Sequence, residues 1–164
     1  MTTVHSVTDT QNMMDNSSKE GIRDRRAAFA SMIPVVTGSS KEVNKFFPDL
    51  SGKIFCQAIR IPLYTVSILN LIVQTKNKLS VEEVNNAFIK ASKTQLKGIL
   101  DVATEELVSK DYTGNPHSAI IDPYLTQVSG THLANVYAWY DNEWGYTTRL
   151  VDLVEYIAKK AKLL

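Results

Sequence analysis

The clearest periodic pattern of hydrophobic and polar positions lies in the middle of the chain, in residues 80–93. The apolar residues that recur there at helical spacing are Val81, Val84, Phe88 and Ala91. Ser80 opens the segment and Glu83 follows three positions later, which is the pattern of a capping box. The pattern therefore predicts a helix with a defined N-terminus at Ser80.

Two other segments have helical spacing. Residues 39–47 begin with Ser39 and Glu42, a second capping-box pair, and Pro48 is expected to end that helix. Residues 142–164 form the last predicted helix, and lysines near its C-terminal end complement the helix dipole. Its apolar stripe consists of Tyr146, Leu150, Leu153, Ile157, Ala161 and Leu164.

Strand-like segments are rich in β-branched and aromatic residues. They occupy residues 53–62, 65–75, 100–108, 117–122 and 131–141. Residues 65–75 are apolar on both faces, so we expect a central or covered strand. Because strands and helices do not alternate strictly, the pattern predicts an α+β domain with a mostly antiparallel mixed sheet covered by helices.

Residues 6–26 contain almost no periodic apolar pattern. A loop of that length in a compact domain is usually either functional or disordered, and the composition leaves both readings open. A short helix is predicted directly after it, over residues 27–33, with Pro34 as its end.

Composition narrows the class of protein. The 164 residues fit one domain, with 44% hydrophobic and 21% charged residues. A net charge of +1 gives no basic field for nucleic acid. No apolar run approaches the roughly 18–20 residues of a membrane span, and the first residues are too polar for a signal peptide. We therefore expect a cytoplasmic protein without nucleic-acid or membrane partners.

Cysteine and glycine usage excludes several kinds of site. Cys56 is the single cysteine, so no disulfide can form within the chain. One cysteine and three scattered histidines cannot supply a clustered metal site, so no metal is expected. Cys56 lies in the apolar stretch 53–62, where a buried and inert thiol is the expectation. The chain has no G-x-G-x-x-G fingerprint for a dinucleotide.

Several residues are candidates for chemistry, each with a structural alternative. His5 is a possible general acid and base, or an ordinary polar residue near a terminus. Thr37 and Gly38 precede a predicted helix and either bind an anion or simply begin that helix. Arg60 ends a strand and either grips a phosphate or lies on the surface. His117 and His132 lie in strand-like stretches, where a structural role is expected.

The most unusual stretch is WYDNEWGY, residues 139–146. Aromatic residues surround Asp141, Asn142 and Glu143 at the point where a strand is expected to become a helix. Asp141 or Asn142 could be a plain helix cap. Composition and spacing alone thus indicate an α+β domain with a possible anion site.

Read in order, five segments resemble the catalytic domain of glyceraldehyde-3-phosphate dehydrogenase. They are TTVHSVT, RRAAFASMIPVVTG, AIRIP, LKGILD and WYDNEWGYTTRLVDL, and the resemblance extends from Thr2 to about Lys160. It implies a catalytic and tetramer-forming domain over residues 1–164, whose residues 1–30 include a long active-site loop. The dinucleotide-binding domain of the family would lie outside this sequence.

The resemblance also implies roles for individual residues. His5 would activate the nucleophilic cysteine, and the polar run after it would lie against the cofactor of a neighbouring subunit. The residues implied in binding are Thr8 and Arg60 for the substrate phosphate, Thr37 and Gly38 for the attacking phosphate, and Asn142 and Tyr146 for the nicotinamide. The implied reaction oxidises glyceraldehyde 3-phosphate with NAD, or NADP, and inorganic phosphate to 1,3-bisphosphoglycerate.

The sequence departs from the family pattern in three respects. The nucleophilic cysteine would lie upstream of the TTVH motif, so Cys56 is not its equivalent, and the isolated chain is expected to be inactive. The cofactor would be bound mainly by the missing domain. Leu63 and Asn70 differ from the usual residues after Arg60, and Thr10 stands where an aspartate is usual. Erythrose 4-phosphate as substrate and a non-catalytic assembly module are therefore alternatives.

Overall fold

A seven-stranded sheet forms the centre of the computed structural model, which describes residues 1–19 and 21–162. Its strand order is β2-β3-β1-β4-β7-β6-β5. The strands are β1 Thr2–His5, β2 Ile33–Val36, β3 Gln57–Arg60, β4 Ser67–Gln74, β5 Leu100–Val102, β6 Ala119–Ser129 and β7 Leu133–Tyr140. The pairs β1–β3 and β5–β6 are parallel and the other neighbouring pairs are antiparallel. The predicted α+β class with a mostly antiparallel mixed sheet is confirmed.

Three α-helices accompany the sheet in the described residues: α1 Ser39–Phe46, α2 Val81–Lys93 and α3 Trp144–Lys160. The predicted capping box of α2 is confirmed, since Glu83 N donates to Ser80 Oγ at 3.2 Å and Ser80 N donates to Glu83 Oε2 at 2.8 Å. The apolar face of α2 packs on one face of the sheet. The buried sheet residues beneath it are Leu100, Ile121, Val136 and Ala138.

The prediction of a helix over residues 27–33 is wrong. Only a single 3-10 turn, Ala28–Ala30, forms there, and the chain then enters β2. Pro34 lies inside β2, which is one of the two edge strands of the sheet. An edge strand tolerates proline because one side of its backbone needs no ladder donor. Proline therefore marks an edge strand here instead of a helix end.

The predicted capping box at the start of α1 is also wrong. Gly38 is the residue before the helix, and no side chain caps the first turn. The Ser39 hydroxyl instead shares a hydrogen bond of 2.8 Å with Thr37 Oγ1, and Lys45 donates to Glu42 at the same distance. The helix ends at Phe46, shortly before Pro48, as the sequence predicts.

The strands differ in length from the prediction. The stretch 53–62 contributes only β3, so Cys56 lies just before the strand and is partly exposed instead of buried within it. The stretch 100–108 contributes only β5, whereas β6 continues beyond residue 122 to Ser129, with an irregular register between Asp122 and Gln127. The expected central strand is β4, which lies between β1 and β7.

The apolar stripe predicted for the last helix exists but is not buried within this chain. Tyr146 is 66% exposed, and Leu150, Leu153 and Ile157 are also exposed. Gly145 is the one buried residue of α3, where an added Cβ would lie 3.1 Å from the carbonyl oxygen of His117. Leu164, the last member of the stripe, lies outside the described residues.

Coverage of the sheet by helices is uneven. The face opposite α2 carries exposed apolar side chains, among them Ile72 and Leu133. None of the helices in residues 1–19 and 21–162 is long and apolar enough to cross a membrane.

The segment from Ser6 to Arg26 is irregular in its described part and includes one 3-10 turn, Arg23–Arg25. Long-range hydrogen bonds tie it together. The side-chain amide of Asn12 donates to the backbone carbonyl of Asp24 at 3.2 Å. The backbone carbonyl of Asn12 accepts from Ala28 N at 2.8 Å. Asp15 accepts from Ala27 N at 2.8 Å. These bonds bring the end of the segment back to its beginning.

Candidate active site

His5 and Arg60 lie side by side because β1 and β3 are parallel and in register at this pair. An Arg60 N–H donates to Nδ1 of His5 at 2.5 Å and is 3.3 Å from the carbonyl oxygen of Ser6. The same Nδ1 lies 2.7 Å from that carbonyl oxygen. The three groups thus form one compact cluster at the end of β1.

His5 is partly buried at this position. Its ring contacts the ring of Tyr140 edge to face, with centroids 6.0 Å apart. Burial lowers the pKa of the His5 imidazole, the hydrogen bond to the Ser6 carbonyl opposes that effect, and the Arg60 charge lowers the pKa further. The imidazole is therefore neutral at pH 7, and a neutral imidazole can accept a proton.

Arg60 is a partly buried cation without a close anion. No carboxylate lies within ion-pair distance of it among the described residues, and its Nε is buried without a hydrogen-bond partner there. Burial lowers the Arg60 pKa, and Tyr140 and Asp24 oppose this. A buried charge without a partner is costly, so the site favours an anionic ligand.

A cavity of about 830 Å³ adjoins Arg60. Thr10, Gln11 and Asp24 contribute to its lining. Gln11 is buried and accepts hydrogen bonds of 3.0 Å from both the backbone N–H and the hydroxyl of Thr8. Thr8 is therefore tied through Gln11 to the same cavity, although its own hydroxyl is engaged by Gln11 and Thr10.

The side chain of Asn142 is held by two serines. Ser6 donates to Asn142 Oδ1 at 2.8 Å and Ser67 donates to the same oxygen at 3.2 Å. Ser67 Oγ in turn accepts from the backbone N–H of Ser6 at 3.1 Å. Both serines bond to the oxygen of the amide, so neither of these bonds uses its NH₂ group, which is a hydrogen-bond donor.

Asp141 caps the beginning of α3, as one of the two alternatives for this stretch anticipated. Its Oδ1 accepts from the backbone N–H groups of Glu143 at 3.0 Å and Trp144 at 2.9 Å. Its Oδ2 accepts from Gly114 N at 2.8 Å. Burial alone would raise the Asp141 pKa, but these bonds together with one from Thr65 outweigh it, and the pKa is lowered.

A second, smaller pocket of about 350 Å³ brings three of the predicted residues together. His5, Asn142 and Tyr146 all line it, with Tyr140 and Arg149 beside them. Tyr146 is largely exposed at its mouth. Histidine, amide and aromatic ring therefore face one space, at the junction of β1, β7 and α3.

Thr37 and Gly38 do not join this group. They follow β2, and the β2 residue level with Arg60 is Ile33. Thr37 is four residues further along, or about 13 Å at about 3.3 Å per residue. Cys56 lies four residues before Arg60, and Arg60 is the strand partner of His5. Cys56 is therefore displaced from His5 by the same number of residues as Thr37, and in the same direction. Neither position is a direct neighbour of His5 in this chain.

The other two histidines do not line this pocket, and each ring lies close to an oxygen atom. His117 Nδ1 lies 2.9 Å from Asn115 Oδ1, and His132 Nδ1 lies 3.1 Å from the carbonyl oxygen of Thr75. Both contacts fit the structural role expected for them.

Sequence reasoning missed the residues that hold the predicted ones in place. The sequence assigns no role to Ser6, Ser67, Gln11 or Tyr140. Ser67 is 61 positions from Ser6 and 75 from Asn142, and no local motif links residues so far apart. The run of hydroxyls around His5 is the only signal in the sequence that could have suggested Ser6.

Comparison with known proteins gives a consistent result. The family described as glyceraldehyde 3-phosphate dehydrogenase, C-terminal domain, matches residues 1–142. A glyceraldehyde-3-phosphate dehydrogenase 2 of Bacillus subtilis is 46% identical over 162 residues, which are 99% of this chain and 47% of that protein. The chloroplastic glyceraldehyde-3-phosphate dehydrogenase GAPA1 of Arabidopsis thaliana is 44% identical over 162 residues, 99% of this chain and 41% of its own length. The chain thus spans about half the length of the curated relatives it matches.

Proposed function

Since the chain belongs to the glyceraldehyde-3-phosphate dehydrogenase family and matches its C-terminal domain, we propose that it supplies the base and a phosphate-binding side of that enzyme's active site. The observation that carries this proposal is the His5–Arg60 pair. It joins a neutral imidazole to a partly buried cation that has no carboxylate partner in residues 1–19 and 21–162. A base beside an anion site suits a substrate that carries both a reacting carbon and a phosphate.

His5 is proposed as the base that receives a proton from a thiol supplied by the rest of the protein. A thiolate is a far better nucleophile than a thiol, and an adjacent imidazole favours its formation. The lowered pKa keeps the ring neutral at pH 7, so it can accept that proton and later return it. Cys56 lies too far along the strands to be this thiol.

Arg60 is proposed as the principal ligand of the substrate phosphate, with Thr8 as a second ligand. A guanidinium binds phosphate oxygens through two parallel N–H bonds. The Nε of Arg60 supports this role because it is a donor without an acceptor in the part of the chain that the structure describes. Thr8 and Gln11 would contribute hydroxyl and amide groups at the edge of the same cavity.

The residues around Asn142 fit the carboxamide of a nicotinamide cofactor. The occupied Oδ1 leaves the NH₂ group of Asn142 to donate to a carbonyl oxygen in the pocket, and Tyr146 offers an exposed ring beside it. NAD, or NADP, would supply the hydride acceptor when bound. Most of the contacts to it would come from the family's dinucleotide-binding domain.

Thr37 and Gly38 remain proposed ligands of the attacking inorganic phosphate. Their support is the resemblance in sequence, because their position at the far end of β2 gives no direct contact with His5.

The whole reaction that we propose is the phosphorylating oxidation of glyceraldehyde 3-phosphate to 1,3-bisphosphoglycerate. It requires the nucleophilic cysteine and the dinucleotide-binding domain, which the 164 residues do not contain. We therefore expect no dehydrogenase turnover from the isolated chain. NAD-dependent oxidation of glyceraldehyde 3-phosphate by these 164 residues alone would refute this expectation.

Assembly into a homo-oligomer, a tetramer in the full-length protein, is also proposed. The exposed apolar side chains of α3 and of the sheet face opposite α2 support association, since exposed apolar surface of this kind commonly marks an interface. The same observation favours the second candidate function, a non-catalytic assembly module. Light scattering of the chain alone, and of the chain mixed with a full-length relative, tests this second function. A strictly monomeric chain that never forms mixed oligomers would count against it.

We propose a cytoplasmic location together with the enzymatic role.

A chimera tests the enzymatic proposal. It joins the part of the Bacillus subtilis relative that precedes the matched region to Met1 of this chain, so that one polypeptide contains both domains. We expect formation of NADH from glyceraldehyde 3-phosphate that depends on inorganic phosphate. A folded chimera without turnover would contradict the proposal.

The same chimera separates the two candidate aldehydes. Leu63 and Asn70 depart from the usual residues after Arg60, so the substrate preference is measured directly with glyceraldehyde 3-phosphate and erythrose 4-phosphate. We expect the larger kcat/KM with glyceraldehyde 3-phosphate. A clear preference for erythrose 4-phosphate would replace the first proposal by the alternative.

A further inference from the structure

We propose that Arg60 decides which ring nitrogen of His5 carries the proton, and that an anion bound to Arg60 moves this proton from Nε2 to Nδ1. The inference rests on the proposed function, because the anion would be the substrate phosphate. Arg60 would then act on the reaction in two ways, as a phosphate ligand and as a positioning residue that makes the base competent.

Two contacts compete for the same nitrogen. Arg60 donates to Nδ1 of His5 at 2.5 Å, which requires a lone pair on Nδ1. The Ser6 carbonyl oxygen lies 2.7 Å from Nδ1, and a hydrogen bond there requires a proton on Nδ1. A neutral imidazole has one protonated and one unprotonated nitrogen, so only one of these bonds exists at a time.

Each of the two tautomers of His5 leaves the Ser6 carbonyl with a hydrogen-bond donor. With Arg60 in place, one guanidinium nitrogen reaches both Nδ1 and the Ser6 carbonyl oxygen, the latter at 3.3 Å, and the ring proton lies on Nε2. If Arg60 turns toward an anion, Nδ1 becomes the donor to the Ser6 carbonyl. The carbonyl keeps a partner in both states, so neither state leaves it unpaired.

An anion can draw Arg60 away because its present contacts do not neutralise its charge. Its partners are a ring nitrogen and a carbonyl, and its Nε has no partner among the described residues. A phosphate would offer charge-assisted bonds, which are roughly twice as strong as neutral ones. The adjoining cavity gives the anion space next to the guanidinium.

The switch determines whether the ring can act as a base. Nδ1 is occupied by Ser6 or Arg60 in both states, whereas Nε2 has no hydrogen-bond partner among the described residues. With the proton on Nε2, that nitrogen has no lone pair for a thiol proton. With the proton on Nδ1, Nε2 has a lone pair that can accept the thiol proton. Anion binding would therefore activate the base.

Among the described residues, only Arg60 and the Ser6 carbonyl contact the ring nitrogens of His5. The titratable and charged groups around it are Arg60 on β3, Tyr140 on β7 and, across the small pocket, Asp141, Tyr146 and Arg149, while Asp24 acts through Arg60. Burial raises the Tyr140 pKa, so its hydroxyl stays neutral at pH 7. Arg60 is thus the group whose movement changes the tautomer.

Nitrogen NMR of the histidine-labelled 164-residue chain tests the proposal. Protonated and unprotonated imidazole nitrogens have well-separated shifts, and loss of the His5 signals in a His5→Gln variant assigns them. In phosphate-free buffer, at a pH where the ring is neutral, we expect the proton on Nε2. Added inorganic phosphate should move it to Nδ1. Arg60→Met, which removes the donor but keeps an unbranched apolar stem, should show the proton on Nδ1 without phosphate.

Arg149→Met is the matched control, because it removes the arginine that lines the smaller pocket beside His5 and leaves the His5–Arg60 contact intact. It should retain the proton on Nε2 in phosphate-free buffer. An Arg60→Met variant that keeps the proton on Nε2 would overturn the inference, and so would bound phosphate that leaves the wild-type tautomer unchanged. Absence of any phosphate binding would instead count against the proposed phosphate site, while Arg60→Met would still decide the tautomer question.

Discussion

The hydroxyl of Ser6 donates a 2.8 Å hydrogen bond to Oδ1 of Asn142, although the two residues are 136 positions apart in the chain. Ser67 Oγ completes the group by accepting from Ser6 N and donating to the same amide oxygen. These bonds fix Ser6, which follows the proposed base, relative to Asn142, the proposed ligand of the nicotinamide. This small network connects β1, β4 and the start of α3.

Replacement of Ser67 by alanine tests the network. Ser67→Ala removes one acceptor and one donor, and we expect the free energy of unfolding to fall by about 1–2 kcal/mol. Urea unfolding measures the change. Ser92→Ala is the control, since Ser92 donates only to the carbonyl of Ile89 in its own helix and should cost less. Equal effects of the two substitutions would contradict the special role of Ser67.

Replacement of Asp141 tests the cap of α3. Asp141→Asn puts an NH₂ group where a carboxylate oxygen now accepts hydrogen bonds, so we expect a loss of about 2–4 kcal/mol in the free energy of unfolding. Asp152→Asn is the control, because Asp152 forms a 2.8 Å ion pair with Arg149 and is largely exposed. A surface ion pair contributes at most about 1 kcal/mol.

The pH dependence of stability should also change in the Asp141 variant. The pKa of Asp141 is lowered in the folded state, so its stabilisation is complete above the ordinary value of about 3.9 and is lost as the pH falls through the folded-state pKa. Asp141→Asn should flatten this part of the curve of unfolding free energy against pH. A curve parallel to that of the wild type would argue against the lowered pKa.

His5 should contribute a loss of stability of the same sign, but at a higher pH than Asp141. Burial, the largest cause, lowers its pKa below the ordinary value of about 6.5. As the pH falls, the unfolded chain binds this proton first, so the folded state loses stability between 6.5 and the folded-state pKa. His5→Gln should remove that loss, as measured by urea unfolding across this range. His132→Gln leaves His5 in place and should retain it.

Ser80 and Ser39, at the beginnings of α2 and α1, should differ in their effect on stability. Ser80 caps α2, and Ser80→Ala should cost about 1 kcal/mol in the free energy of unfolding. Ser39 follows Gly38 at the start of α1 and caps nothing, so Ser39→Ala should cost less. Thermal or urea unfolding compares the two variants directly. A larger loss for Ser39→Ala would contradict the assignment of the caps.

The same two serines illustrate how far the sequence predicts the fold. The capping box and apolar face of α2 agree with each other locally, and this helix is predicted correctly. Ser39 and Glu42 have the same spacing, yet the hydroxyl of Thr37 captures Ser39 and Lys45 captures Glu42. Local pattern could not decide between these partners, since both arrangements satisfy the polar groups.

Pro34 shows why the sequence does not predict the edge strand β2. It reads as the end of a helix until the sheet order is known, because only an edge strand can accept it. The short strand β1 was missed for a similar reason, since four residues are too few for a periodic pattern. Pairing with β3 and β4, both far along the chain, makes it a strand.

The candidate site was less predictable than the fold. His5, Asn142 and Tyr146 became candidates for a shared site through the resemblance to a family, and the structure brings these three to one pocket. The bonds from Ser6 and Ser67 to Asn142 depend on the pairing of distant strands. So does the contact of Arg60 with His5, which follows from the parallel register of β1 and β3. No spacing in the sequence encodes these contacts.

The central claim is that His5 serves as the base of a phosphorylating dehydrogenase, and the most direct test is kcat/KM for glyceraldehyde 3-phosphate in the chimera with and without His5→Gln. Loss of a general base lowers rates by about a hundredfold to ten-thousandfold, and we expect a fall of that size. His132→Gln in the same chimera should leave kcat/KM unchanged. An active chimera whose kcat/KM does not respond to His5→Gln would contradict the claim.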